Sequence, residues 1–384
     1  MLYHLVDWLV RSHGYPPGPY AYKDPLFRGT CALILAFLVV VLAAPKVIRI
    51  LVRHKIGDRT EFDHKALNEL VGHNKENTPT MGGVLIVAAI LISLLLLADL
   101  MNYYVRMAIF CMLWLAALGA VDDWLKLTVG RRSGSRDGLK MYEKLLFQIA
   151  LAVLLGTFVY QYGRENMAIA TVIGDEPVET YRIFNVPFYK QGIFLNTTAF
   201  LILTVLVTAG TSNAVNLTDG MDGLAAGCMA LCSFVFMIFA FLGGDPLKAS
   251  SLLFPYIPKT AELAVLCGAM VGACLGFMWY NGFPAQVFMG DTGSLALGGL
   301  IGYVAIVIRQ ELMLLIVGGV FVIEACSVLL QVGSYKLTGK RIFRVAPIHH
   351  HFHLGGWTET QVVMRFWLMA AVFAALALAT IKLR

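Results

Sequence analysis

The chain is 384 residues long, 58% hydrophobic and only 14% charged, with a mean hydropathy of +0.72, against about 25% charged residues in an ordinary soluble domain. That composition excludes a soluble globular protein and leaves no stretch for a separate soluble domain. The formal net charge of +6 lies in short loops, where it reports membrane topology and implies no nucleic-acid partner.

Met1–Val10 sets Leu2, Leu5, Val6 and Leu9 on one helical face beside Trp8. It is too short to cross a bilayer, so residues 1–25 read as an interfacial helix and a proline-rich turn. About ten apolar segments of roughly spanning length follow: near Leu26–Ala44, Met81–Ala98, Val105–Val121, Leu145–Tyr160, Thr198–Gly210, Leu224–Leu242, Leu263–Tyr280, Ser294–Ile308, Leu312–Val332 and Val362–Thr380. The expected fold is an all-α polytopic integral membrane protein, one transmembrane domain over residues 1–384. Lys and Arg collect in alternate loops: Lys46, Arg49, Arg53, Lys55, Arg59, Lys65 and Lys75; Lys126, Arg131, Arg132, Arg136, Lys140 and Lys144; Lys336, Lys340, Arg341 and Arg344. By the positive-inside rule the cytoplasmic loops are those near 45–80, 122–144, 211–223, 281–293 and 333–361, and both termini are periplasmic. The chain is then expected to cross a membrane many times. The seven cysteines fall within or beside apolar spans and read as small buried hydrophobes.

The loops carry the chemistry. Residues 74–83 combine Lys75, Thr78, Pro79 and Thr80, a possible anion site that an ordinary loop-to-helix junction also explains. Asp122 and Asp123 stand side by side at the end of an apolar segment, where adjacent carboxylates repel and call for a cation or a shared proton. In residues 210–224, Asn213, Asn216, Asp219 and Asp222 recur every third position, and Gly220 and Gly223 follow the two acids. A polar pocket for an anionic, metal-bearing ligand fits that pattern. Residues 281–294 repeat the chemistry with Asn281, Gln286, Phe288 and Asp291, although Gly290–Gly293 also reads as a tight turn capping a helix. Glu324, inside an apolar span, is either a structural partner or a functional intramembrane acid. His349, His350, His351 and His353 stand close to Arg341 and Arg344, and consecutive histidines cannot all face one zinc ion. Phosphate or sugar binding is the better reading.

All of these groups were picked by chemistry, and all but Glu324 fall in loops assigned to one membrane face. Converging carboxylates with Lys, Arg, His and a stackable Phe at that face describe an Mg2+-dependent phosphoryl-transfer site with one lipid substrate.

The motifs also carry a family resemblance. Ala120-Val-Asp-Asp-Trp, the run from Asn213 to Leu224, Phe288-Met-Gly-Asp-Thr-Gly-Ser and Ala346-Pro-Ile-His-His-His-Phe together resemble the phospho-N-acetylmuramoyl-pentapeptide transferases, a branch of the polyprenyl-phosphate N-acetylhexosamine-1-phosphate transferases. The resemblance implies UDP-N-acetylmuramoyl-pentapeptide and undecaprenyl phosphate as substrates, lipid I and UMP as products, magnesium as cofactor, a homodimer and the bacterial inner membrane as its location. Carried over by position, it makes Asp291 the metal ligand and Asp122, Asp123 and Asp291 the catalytic set. Lys75, Thr80, Asn213, Asn216, Asp219, Gly220, Asp222, Asn281, Phe288, His349, His350 and His351 become substrate contacts, with Phe288 stacking on uracil. A transferase using UDP-N-acetylglucosamine and a lipid or solute transporter are the alternatives. Transport sites usually sit at broken helices near the bilayer midplane, whereas these acids sit at one surface.

Overall fold

A computed structural model describes residues 1–13, 20–53, 78–133, 138–166, 169–170, 178–187, 189 and 192–382. Lys75 and residues 54–77, which sequence assigns to a cytoplasmic loop, lie outside the described residues.

Helices dominate. An amphipathic helix α1 (Leu2–Ser12) has no buried residue and leaves Leu2, Leu5, Trp8 and Leu9 exposed. It is followed by α2 (Pro25–Arg53), α3 (Gly83–Leu97), α4 (Tyr103–Ser133), α5 (Met141–Glu165), α6 (Thr197–Thr218), α7 (Leu224–Gly243), the short α8 (Pro246–Ser251) and α9 (Leu263–Asn281). The chain ends with α10 (Gly290–Val307), α11 (Glu311–Val317), α12 (Gly319–Thr338), α13 (Ile348–His353) and α14 (Glu359–Ala379). Among the described residues, 9 helices are long and apolar enough to cross a membrane, and α3 is apolar but shorter. The ten expected spans thus correspond to nine full-length helices and one of 15 residues.

Three local differences from the sequence reading matter for the site. The span expected over Leu312–Val332 is broken at Gly318, between α11 and α12. Residues expected in loops lie on helices: α4 continues past Asp122 and Asp123, α6 carries Asn213 and Asn216, and the histidines form α13. The all-α expectation also gains two short antiparallel ladders, β1 (Ile169–Ala170) with β2 (Val178–Glu179) and β3 (Ile183–Phe184) with β4 (Ile193–Phe194). The helices overrun because a charged residue ends an apolar segment without ending a helix, and Asp122, Lys126 and Thr128 all continue the backbone ladder.

The core is helix on helix. α9 lies along α2, and α10 packs between α4 and α6 with nearly its whole length buried. Close approach is possible because small residues face each other. A Cβ on Gly119 of α4 would overlap the backbone of Asp291 at the start of α10, so this glycine lets the acid-bearing ends of the two helices touch. Five of the seven cysteines are buried, Cys31 is partly buried, Cys326 is exposed, and all are free.

Candidate active site

The site is built around the first turn of α10. Gly290 has φ +71°, a backbone state glycine adopts at little cost, and it turns the chain into the helix. The first N–H groups of any helix lack intrahelical partners. Here Asp123, from the neighbouring α4, supplies them: its Oδ1 accepts the Asp291 N–H at 3.1 Å, and its Oδ2 accepts the Thr292 N–H at 3.0 Å and the Thr292 hydroxyl at 2.7 Å. Asp123 is a helix cap donated across a helix interface, which fixes Asp291 relative to α4.

Asp122, one residue back, points into the charged centre. Its Oδ1 accepts the Leu139 N–H at 2.7 Å, and its Oδ2 meets Lys144 Nζ at 2.6 Å and Lys126 Nζ at 2.7 Å. The same two ammonium groups reach Asp291, Lys144 to Oδ2 at 2.6 Å and Lys126 to Oδ1 at 3.2 Å. Asn216 Nδ2 donates to Asp291 Oδ1 at 2.9 Å and to Ser294 Oγ at 2.9 Å. Asp122, Asp123 and Asp291 are all buried, and each offers an oxygen within 4.8 Å of the others. This donor set, all hard oxygen, suits a divalent cation such as Mg2+, with the lysines offsetting the remaining charge.

Asp219 completes the acidic rim. Burial first, then repulsion from Asp291 and Asp123, pushes its carboxyl up to about 8, partly offset by a hydrogen bond from the Gly290 backbone N–H. Thr80 belongs here too, because its Oγ1 and Asp123 Oδ2 both lie close to Gly290. The segment carrying Thr80 is paired to the α9–α10 loop like a strand: Phe288 N–H donates to Pro79 O, Gly82 N–H to Phe288 O and Gly83 N–H to Met289 O, each at 2.8 Å. That pairing fixes the backbone of partly buried Phe288 three residues before Asp291.

Other expected contacts also bond within the protein. Asn213 donates to Gln148 Oε1 at 2.7 Å, tying α6 to α5. Asn281 accepts the Gly223 N–H at 3.0 Å and donates to Val287 O at 2.8 Å; Asp222 accepts the Ala285 N–H at 2.9 Å, while its own N–H goes to Glu359 at 3.0 Å. These bonds clamp the 219–223 turn to the 282–289 loop, so Gly220 presents its backbone from a fixed position. The histidines do not converge. His351 Nδ1 accepts the Arg344 N–H at 3.1 Å, His353 Nδ1 faces Trp357 O at 2.9 Å, and buried His349 faces Glu324 at 3.1 Å. His350 is buried beside His349, with ring centroids 4.1 Å apart. Among the described residues neither these histidines nor the cysteines form a metal-ligand cluster.

In sequence, Lys126 and Lys144 stand out as members of a basic loop suited to phosphates or an anionic lipid surface. Their spacing was the available signal, since Lys126 lies one helical turn after Asp122, but the bridge from Lys144 across to Asp291 depends on tertiary packing. Away from the acids, an apolar cavity of about 310 Å3 lies between α6, α10, α11 and α12, lined among others by Leu206, Val207, Leu315, Phe321 and Cys326. Leu206, Leu315 and Cys326 are exposed, so it opens sideways, toward the lipid of a surrounding membrane.

Acids and lysines gathered at the ends of spans in a polytopic helical protein fit a membrane-embedded transferase, and the match of residues 105–309 to glycosyl transferase family 4 gives that class. Residues 75–87 match the first signature of the phospho-N-acetylmuramoyl-pentapeptide-transferases. The chain is 41% identical over 385 residues to the phospho-N-acetylmuramoyl-pentapeptide-transferase of Thermodesulfovibrio yellowstonii, and 41% identical over 390 residues to that of Desulfotalea psychrophila, covering all of both chains in each case. The chain belongs to the phospho-N-acetylmuramoyl-pentapeptide-transferase family.

Proposed function

We propose that this protein transfers phospho-N-acetylmuramoyl-pentapeptide from UDP-N-acetylmuramoyl-pentapeptide to undecaprenyl phosphate, giving lipid I and UMP, the first membrane step of peptidoglycan synthesis. Full-length similarity to transferases of that name supports the substrate pair. The observation that carries the chemistry is the packing of Asp122, Asp123 and Asp291 within 4.8 Å around the ammonium groups of Lys126 and Lys144. The Lys and Arg distribution puts this cluster on the cytoplasmic face of the inner membrane, with both termini periplasmic. A homodimer is the expected assembly, on family resemblance alone.

In this reading Asp291 and Asp122 would hold Mg2+, which when bound would supply charge neutralisation at the diphosphate. Asp123 keeps the first turn of α10 in register with α4. Lys126 and Lys144 screen the phosphates and keep the carboxylates from repelling each other. The nucleoside lies over the 219–223 turn, with uracil on Phe288, Thr80 near it, and Asn216 and Asp219 toward the phosphates; Lys75, outside the described residues, is a substrate contact on family resemblance alone. The polyprenyl chain occupies the apolar cavity between α6 and α12. A phosphate oxygen of the lipid attacks the phosphorus that bears the sugar; the anhydride P–O bond to UMP breaks, and UMP leaves with the electron pair. One anhydride replaces another, so no ATP is required and the reaction lies near equilibrium.

Assaying lipid-linked product with UDP-N-acetylmuramoyl-pentapeptide against UDP-N-acetylglucosamine tests the assignment. Product from the first alone is expected, together with formation of the UDP-sugar when lipid I is mixed with excess UMP. Product only from UDP-N-acetylglucosamine, or no reverse exchange where the forward reaction runs, overturns it.

Asp219 gives this reading a pH dependence. A carboxyl raised to about 8 is neutral below that pH and adds a negative charge facing the nucleotide phosphates above it. In metal-free protein, UMP affinity is expected to fall as pH rises through 8, and Asp219→Asn to flatten the profile. A wild-type titration that is flat between pH 6 and pH 9 after correction for UMP ionisation contradicts the placement.

A further inference from the structure

Glu324 has no part in the chemistry above, yet it is a carboxylate with no exposed surface inside the membrane-spanning α12. An unpaired charge in such a place is strongly unfavourable, so its partner defines its purpose. That partner is His349, whose Nδ1 lies 3.1 Å from Glu324 Oε2 and which is likewise fully buried. With Nδ1–H committed to the carboxylate, the ring's plane and tautomer are fixed. The opposite nitrogen, Nε2, has no hydrogen-bond partner among the described residues and abuts Gly220, where a Cβ would overlap Nε2 and Cε1. A chain of contacts thus runs from the helix beyond the Gly318 break, through one imidazole, to the turn between α6 and α7. Glu324 does not reach the acids itself, and His349 presents no surface to a substrate.

We propose that Glu324 is a positioning residue that acts through His349: it props the imidazole beneath Gly220 and so sets the height of the backbone cradle that receives a nucleoside diphosphate. This rests on the reading of the 219–223 turn as the nucleotide site. The lipid-binding cavity opens on another side of α12, so the dyad governs one substrate and not the other. Gly220 is confined from both directions, by the clamp at Asp222 and Gly223 and by the imidazole below.

The test uses full-length protein in detergent or nanodiscs, with Glu324→Gln, Glu324→Leu and Gly220→Ala. Glu324→Leu removes the acceptor and is expected to raise the KM for the UDP-sugar about tenfold, the equivalent of one net hydrogen bond, while kcat and the KM for undecaprenyl phosphate change less than about twofold. Glu324→Gln keeps an acceptor oxygen for Nδ1–H and is expected to restore most of the loss. Gly220→Ala pushes on the same ring from the other side and should give the same selective rise in KM; combined with Glu324→Leu it should add less than the sum. Nitrogen-15 histidine spectra report the linkage directly: His349 shows the Nδ1–H tautomer in wild type and in Glu324→Gln and loses that preference in Glu324→Leu. If Glu324→Leu does not fold, Glu324→Gln and Gly220→Ala with the histidine spectra still decide. A uniform fall in kcat with unchanged KM, equal effects on both substrates, or an unaltered His349 tautomer in Glu324→Leu overturns the proposal. UMP binding by calorimetry separates the two readings, because it reports the cradle even where no UDP-sugar is turned over.

Discussion

Asp291→Asn is expected to abolish turnover, lowering kcat by about a thousandfold or more while leaving the fold intact, since a single charged ligand at a phosphoryl-transfer centre commonly carries that much. The residue touches both lysines and Asn216, so its charge sits beside the same two ammonium groups that neutralise buried Asp122. Asparagine matches its shape and retains one acceptor oxygen but holds neither lysine by charge. Thermal unfolding of the variant should stay close to wild type, because Asp122 still pairs with both lysines. The check is kcat for lipid-linked product alongside the unfolding midpoint. Activity within tenfold of wild type removes Asp291 from the chemistry, and with it the metal-binding role.

Asp123→Ala is expected to act differently although the residues are neighbours in space. Alanine strips three hydrogen bonds from the start of α10, two from backbone N–H groups and one from the Thr292 hydroxyl. Buried donors left without acceptors cost about 1 to 3 kcal/mol each; partial relaxation around Gly290 leaves an expected net loss of about 3 kcal/mol. Turnover should fall with it, because Asp291 moves with its own N–H. Asp123→Asn keeps one acceptor oxygen and should recover much of the stability but less of the activity. Unfolding measured in detergent for the pair distinguishes a cap from a purely chemical carboxylate: an unchanged midpoint for Asp123→Ala assigns the residue to chemistry alone.

The two variants show what sequence could and could not convey. Hydropathy located the spanning segments because an apolar run of that length has few other uses in a chain with 14% charged residues. It passed over the break at Gly318, since a window averaged across Val317, Gly318 and Gly319 remains apolar. The grouping of Asp122, Asp123 and Asp291 was legible from loop charge, which sorts segments by membrane face even when they are 168 residues apart. Their separate jobs were not. Whether an acid caps a helix, pairs with a lysine or faces open space depends on side-chain direction, and adjacent residues on a helix point about 100° apart. The same limit hid the tie between Glu324 and His349. Asn213, Asn281 and Asp222 look like ligands by residue type, and sequence could not show that they also bond to Gln148, Val287 and Ala285 and so tie the frame together.

The lysine bridge has a further thermodynamic consequence. Lys126 and Lys144 each bridge Asp122 to Asp291, so the chain's own cations offset these two carboxylates, and the energy of any metal uptake would be separate from the energy of folding. Stripping the protein with a chelator and restoring the ion should therefore be a reversible cycle on an intact scaffold. A cation held by Asp122 and Asp291 would have to share their oxygens with the two ammonium groups, and its apparent affinity would then be an exchange constant, one cation against another.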